Sequence, residues 1–273
     1  MRRSDMGSRG GGGRIAGLAL LLAVVAAEAA GGGIAPHRAL YEVGLVSADP
    51  SSGIDALSGA AVYEWSSGCD RIVVNRETRL SVQPPDGTPV SVRVEFSAWE
   101  QLDGLAYGFA GRTVRNGVET EARSGTARLA EPGGGGEAEY SRPRGRRLPL
   151  EPGAMFPAAW VRSVLDHARA GQGLLTSSVF FGEDDDALLT ASVLVLPEHA
   201  AGKPPEAPAA LEGLARWRAQ FAFFDAGEEA LPAFETTEWF YENGVGGDAV
   251  LAFPDFTIRY RLRAVKLHDP PDC

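Results

Sequence analysis

Val90-Ser91-Val92-Arg93-Val94-Glu95-Phe96-Ser97 alternates apolar and polar side chains without a break. Successive residues of an extended chain point to opposite faces, so this stretch describes a strand with one face on a core and one in water. Such one-sided strands are typical of antiparallel sheets. The same alternation recurs far downstream. Trp217, Ala219, Phe221 and Phe223 interleave with Arg216, Arg218 and Gln220. Phe256, Ile258, Tyr260 and Leu262 interleave with Thr257, Arg259, Arg261 and Arg263. Shorter runs of strand character fall at Leu40–Val46, Ala60–Trp65, Arg71–Val82, Leu105–Phe109, Thr176–Phe181 and Leu188–Leu196. The chain is therefore expected to be mainly β.

The punctuation between these runs predicts hairpins. Asn116-Gly117 and Asn243-Gly244 supply the positive φ angles that tight hairpin turns require. Asp86-Gly87 and Asp103-Gly104 do the same less distinctively, and Gly133 to Gly136 forms a flexible tip between two strands. The Pro/Ala-rich stretch Glu198–Ala210 reads as a surface loop, because strand character resumes after it. One helix is predicted. Pro157 suits its first turn, Ala158, Val161, Leu165 and Ala168 recur at helical spacing with Trp160 and Val164 beside them, and Gly171 suits the position past its end. An open sheet of many strands curls or closes, so this helix is expected on its concave face.

The first segment sets the compartment. Arg2, Arg3, Arg9 and Arg14 precede an apolar run from Ile15 to Ala27, followed by Ala27-Glu28-Ala29 as a cleavage site. This is the layout of a secretory signal peptide, assigned to residues 1–29; the competing reading is an uncleaved amphitropic N-terminus. Residues 30–273 are read as a single domain. Its 22 Lys+Arg against 34 Asp+Glu give a formal charge of −12. Such a surface repels nucleic acid and anionic lipid at long range. No second apolar stretch approaches the roughly 20 residues of a membrane span, so the mature chain is expected to be soluble.

Two cysteines, Cys69 and Cys273, remain after export into a compartment where disulfides persist. They are expected to pair; the alternative is a reactive Cys69, which needs a base and a lowered pKa that its sequence neighbours do not supply. Catalytic signatures are scarce: there is no G-x-S-x-G elbow, H-E-x-x-H helix, C-x-x-C pair or P-loop. Gly171-Gln172-Gly173 follows a helix and reads as a helix stop. His37, His167, His199 and His268 are scattered, with no two at ligand spacing; His167, near Asp166 and Glu151, is the best placed for chemistry. No cofactor or metal is implied. Glu183-Asp184-Asp185-Asp186 reads as a solvated hairpin tip, with a Ca²⁺ site as the alternative. Arg142, Arg144, Arg146 and Arg147 stand out as a basic cluster, either a dock for an anionic partner or a solvated loop. Trp99, Tyr107, Trp217, Phe221, Phe223, Trp239, Tyr241 and Tyr260 are read as core, or as the lining of a groove for an acyl chain or peptide if the sheet stays open.

Several segments in order carry a family resemblance. His37-Arg38-Ala39-Leu40-Tyr41, Ser52-Gly53-Ile54 and Gly59-Ala60-Ala61-Val62-Tyr63-Glu64 lead to Cys69. Leu150-Glu151-Pro152-Gly153-Ala154-Met155-Phe156-Pro157 opens the helix, and Tyr241-Glu242-Asn243-Gly244-Val245, Asp255-Phe256 and a terminal cysteine close the chain. Together they resemble the EipB family of cell-envelope integrity proteins, from about Ile34 to Cys273. The resemblance implies a periplasmic protein of alphaproteobacterial type. Its fold would be a long antiparallel sheet wound as a spiral or unclosed barrel around one amphipathic helix, similar in architecture to the lipoprotein carriers of the Lol system. It also implies a structural disulfide at Cys69 and Cys273, a role in envelope maintenance and no catalytic residues. The expected function is thus a non-catalytic, monomeric periplasmic protein that binds an envelope protein, lipid or cell-wall-associated partner. A lipid or lipoprotein carrier is the alternative, and an envelope hydrolase a more distant one.

Overall fold

The computed structural model describes residues 33–183, 188–197, 201–225 and 231–273. The leader assigned to residues 1–29, His199 and Asp184 to Asp186 lie outside the described residues. Fifteen strands form one sheet. The first eight are β1 (His37–Ala48), β2 (Ala56–Ser67), β3 (Arg71–Gln83), β4 (Val90–Gln101), β5 (Ala106–Arg115), β6 (Val118–Leu129), β7 (Gly136–Arg142) and β8 (Arg147–Leu150). A two-residue strand, β9 (Ala154–Met155), leads into the helix α1 (Pro157–Arg169). The rest are β10 (Leu174–Phe180), β11 (Leu188–Val195), β12 (Arg216–Asp225), β13 (Phe234–Tyr241), β14 (Gly246–Ala252) and β15 (Phe256–Leu267).

Spatial order follows chain order except at one place. The sheet runs from β8 back to β1, crosses to β15, and runs back again to β9. The first and last strands therefore pair at the centre, from His37 opposite Leu267 to Ala48 opposite Phe256. The two edges belong to β8 and to the β9–β10 end, which are consecutive in the chain. Closing the barrel would require them to pair. Instead β9 pairs with β10, in parallel, at Ser178 and Val179. A parallel pair needs a crossover, and α1 is that crossover. This is the one departure from the antiparallel expectation, and it leaves a seam between β8 and β10.

The expected elements are present and mostly longer than their apolar runs. Asn116 and Gly117 both take positive φ at the β5–β6 turn, at 48° and 82°. In α1, Ala158, Trp160, Val161, Val164, Leu165 and Ala168 are buried, and they join the main core with Phe181, Phe221, Phe223 and the inward residues of β1 to β3. A second cluster near the seam gathers Tyr107, Phe109, Tyr140, Phe156 and Phe180. Two tryptophans expected in the core are not there. Trp99 and Trp239 stand on the outer face because their parity in β4 and β13 is that of Glu95 and Glu235. Trp99 lies over Gly108 of β5, where a Cβ would sit 2.2 Å from its ring nitrogen, and Arg71 stacks on it.

Candidate functional site

The concave side of an unclosed barrel is where a ligand cavity is to be sought. Here it is filled. Trp160 of α1 meets the rings of Phe181, Phe221 and Phe223 edge-on, each with centroids 5.9 Å away. On the seam side Tyr107 stacks on Phe156 at 5.2 Å, and Phe109 meets Tyr140 edge-on at the same distance. Between the two clusters lies a void of about 40 Å³, bordered by Tyr63, Trp65, Phe96, Arg76, Glu100 and Glu183. It is large enough for a few waters and far too small for an acyl chain.

The charged groups around that void serve the fold. Arg76 shares the inward parity of Ile72, Leu80 and Val82 on β3, and its guanidinium lies between the rings of Tyr63 and Phe96, 5.7 and 5.1 Å from their centroids. It forms a two-pronged ion pair with Glu183, Nη1 donating to Oε1 at 3.0 Å and Nη2 to Oε2. The side chains are only 4% and 12% exposed. Burial opposes the charge on Arg76, and the Glu183 carboxylate outweighs it, holding the guanidinium protonated. This corrects the reading of Glu183 as part of a solvated tip. Phe180 and Phe181 are buried, and Gly182, at φ +77°, turns the chain inward against the ring of Phe109, which a Cβ would meet at 2.7 Å. Tyr107 fixes the same segment by donating its hydroxyl to the Phe181 carbonyl at 2.9 Å.

Glu100, at the inward parity of β4, caps the helix. The residue before α1 is Phe156, which has no side-chain oxygen to offer. The Glu100 carboxylate instead accepts the Ala158 and Ala159 N–H groups at 2.6 and 2.8 Å, satisfying donors that a helix start leaves open. Arg162 lies 3.6 Å away. Burial pushes the carboxyl up to about 7 against these bonds. Glu238 of β13 is buried as well, and its Oε2 has no partner; desolvation alone drives its pKa well above the usual carboxylate range.

The remaining sequence candidates are dispersed. Cys69 and Cys273 lie with their sulfurs 2.10 Å apart, at disulfide distance, across 204 residues of chain. The arginine cluster occupies the β7–β8 turn, where its charges are already engaged. Arg142 donates to Glu119 at 2.7 Å, Arg147 reaches Glu137 and Glu139 at 3.3 and 3.0 Å, and Arg146 stacks on Tyr140. Arg144 stands exposed at the turn. His37 is buried beside Trp65 with Nδ1 3.1 Å from the Ala35 carbonyl oxygen, and desolvation lowers its pKa to about 4. His167 lies half-buried on α1, remote in the chain from His268 in the C-terminal tail. Among the described residues no three His, Cys, Asp or Glu side chains converge as a metal site.

This constellation of filled interior, crossover helix and cysteine pair can be set beside known proteins. The sequence model of the EipB-like family matches residues 28–269. The chain belongs to the EipB-like family. The cell envelope integrity protein EipB of Brucella abortus (strain 2308) is 26% identical over 243 residues, covering 86% of this chain and 85% of that relative. A crystal structure of a β-barrel-like protein of a domain of unknown function, also from Brucella abortus, superposes with a TM-score of 0.77 at 25% identity. It covers 86% of this chain and 98% of its own. Neither of these two proteins is named as an enzyme, and among the described residues no helix of this chain is long and apolar enough to cross a membrane.

Sequence reading missed Arg76, Glu100 and Glu238 as the interior's charged members, although their parity gave them away. It also treated the Arg142–Arg147 segment as the lone basic cluster. Arg259, Arg261 and Arg263 recur at every second position of β15, with Glu42 of β1 paired to Arg263. Charge alternating at period two marks a strand's outer face as surely as the apolar residues mark its inner one.

Proposed function

We propose that this chain is a non-catalytic periplasmic protein that supports cell-envelope integrity by holding a protein, lipid or cell-wall-associated partner on its outer surface. The observation that carries the reading is the family match over residues 28–269, with a relative named for envelope integrity. The basic, then apolar, leader supports export. The cysteine pair at disulfide distance supports an oxidising compartment and a bridge between Cys69 and Cys273. Residues 30–273 act as one domain in this reading. The packed interior favours binding outside the barrel over carriage of a lipid within it, since the void of about 40 Å³ has no room for a chain. An anionic partner at the arginine turn would meet Arg144 first, because Arg142 and Arg147 already have acidic partners and Arg146 stacks on Tyr140.

The test is a deletion strain of the host, complemented with the wild-type gene. Sensitivity to detergents or cell-wall antibiotics, reversed by complementation, is the expected result. Wild-type resistance in the deletion strain would overturn the proposal.

A further inference from the structure

The two edges of the sheet are finished differently. A strand edge presents unpaired N–H and C=O groups that invite another strand, and proteins guard such edges with charge, proline or brevity. The β8 edge is guarded in all three ways. It has four residues, includes Pro149, which has no N–H to offer, and begins with Arg147, ion-paired to Glu137 and Glu139. The β10 edge reads Leu174-Leu175-Thr176-Ser177-Ser178-Val179-Phe180, with no charge and no proline. Its partner β9 covers only Ser178 and Val179. Among the described residues, no strand pairs with Leu174 to Ser177 on that side.

The register shows which groups are exposed there. The Val195 N–H donates to the Gly173 carbonyl at 2.7 Å, so Leu175 and Ser177, two and four residues on, direct their main-chain groups toward β11. Leu174 and Thr176 direct theirs to the open side, in line with β9. The face beside this slot is uncharged. Leu174 stands opposite Leu194, the two being 67% and 40% exposed, and Thr176 stands opposite Ser192. Leu174, Ser192 and Leu194 border, with Gln220, Ala222 and Glu235, a hollow of about 360 Å³ whose one charged residue is Glu235.

We propose that the Leu174–Ser177 edge receives an extended, uncharged segment of a partner protein, which adds a strand end-to-end with β9. Main-chain bonds to Leu174 and Thr176 give the affinity, and the Leu174–Leu194 surface takes an apolar side chain of the incoming strand. Acidic segments are disfavoured because the edge and the outward residues of β10 and β11 carry no cation and Glu235 borders the hollow, and an uncharged segment matches the Leu174, Thr176, Ser192 and Leu194 face it would lie on. The proposal deepens the reading of this chain as a binding protein and rests on it.

The test uses the mature protein with a capped Thr-Val-Thr-Val-Thr peptide as probe, followed by amide hydrogen exchange. Saturable slowing at Leu174 and Thr176, with no change at Arg147, whose N–H faces the open side of β8, is expected. Thr176→Pro removes the outward N–H without touching the β11 ladder, and Thr176→Lys adds the missing guard charge; each should weaken the effect at least tenfold. Equal melting temperatures of the variants and the wild type show that the fold survives, and if the proline variant is unstable the lysine variant decides. No protection at millimolar peptide overturns the proposal, as does protection undiminished in both variants. Protection that rises with protein concentration alone would make a second copy the occupant and overturn it too. A sensitive deletion strain combined with a peptide-blind edge would reject this edge while leaving the envelope role standing.

Discussion

On β1 to β7 the outward side chains form ladders of opposite charge. Arg38 pairs with Glu64, Arg79 with Glu77, Arg93 and Arg112 with Glu95, and Arg142 with Glu119. On β10 and β11 the outward residues are Leu174, Thr176 and Ser178, then Thr190, Ser192 and Leu194, with no charge among them. The difference does not extend inward, where the two halves of the chain interlock. Arg76 of β3 holds Glu183 beyond β10, Glu100 of β4 caps α1, and Tyr107 of β5 binds the Phe181 carbonyl. Tyr41 of β1 likewise donates to the Gly246 carbonyl of β14 at 2.9 Å. Stability should therefore depend on these interior joints and hardly at all on the exposed ladders.

The largest effect is expected from Glu183→Ala. It leaves the Arg76 charge buried without a partner, which typically costs about 3–5 kcal/mol, or on the order of 10 °C for a domain of this size. The double variant Arg76→Leu with Glu183→Leu should recover much of that loss, since an apolar pair needs no desolvation of charge. Thermal unfolding of both variants checks this. A loss below that of a surface pair for Glu183→Ala would dissolve the contrast between interior joint and outer ladder.

Cys69→Ser should come next, at roughly 2–4 kcal/mol, because a bridge between Cys69 and Cys273, which lie at disulfide distance, would restrict a very long loop of the unfolded chain. The far-ultraviolet β signature should persist, since the β1–β15 pairing that the bridge adjoins is made by hydrogen bonds along two twelve-residue strands. Comparison of melting temperatures with and without reductant gives the same answer in the wild type. Free thiols at both positions in protein recovered from an oxidising compartment would remove the bridge from the argument.

These joints also mark how far sequence alone reaches. The strands were legible because each is buried on one side only, so that apolar residues fall at every second position. The helix was legible from Pro157, the spacing of Val161, Leu165 and Ala168, and Gly171. The closing of β1 against β15 was not legible locally, because pairing partners 221 residues apart, such as Glu42 and Arg263, leave no mark on either strand. The family resemblance supplied the winding that local pattern could not. Glu100 and Arg76 occupied apolar-parity positions in full view, but the reason for a charge there lies in elements 58 and 107 residues further on. Glu183 was misread because an acidic run resembles a solvated turn until Gly182 is seen to bend it inward.

Glu238 offers a pH test of the same comparison. Its folded pKa is raised above the unfolded value near 4.5, so the folded state binds the extra proton. The stability it contributes is complete below about pH 4.5 and declines as pH rises toward the folded pKa. Glu238→Gln cannot lose that proton. The variant should match the wild type within error at pH 4 and become progressively more stable than it as pH rises to 7.5. Glu100 adds a parallel decline that ends near pH 7 in both proteins, so the part of the wild-type slope that the variant lacks belongs to Glu238. Denaturant titrations at pH 4, 6, 7.5 and 8.5 measure it, and a pH-independent difference between the two proteins would mean that this carboxyl titrates normally.

The smallest effect should come from Arg112→Ala on the outer face. Glu95 would keep Arg93 at 3.1 Å, and the lost partner is a half-exposed arginine whose charge water already screens. Raising salt from 0.05 to 0.5 M should likewise leave the melting temperature nearly unchanged, because the Debye length falls well below the spacing between ladders and removes attractions and repulsions together. The alternation of charge along β1 to β7 then serves exclusion more than stability: a strand or sheet approaching that face would have to strip hydration from paired ions. A melting temperature that fell as far for Arg112→Ala as for Glu183→Ala would place the stabilising joints on the outside of the sheet and reverse the assignment of roles between its two faces.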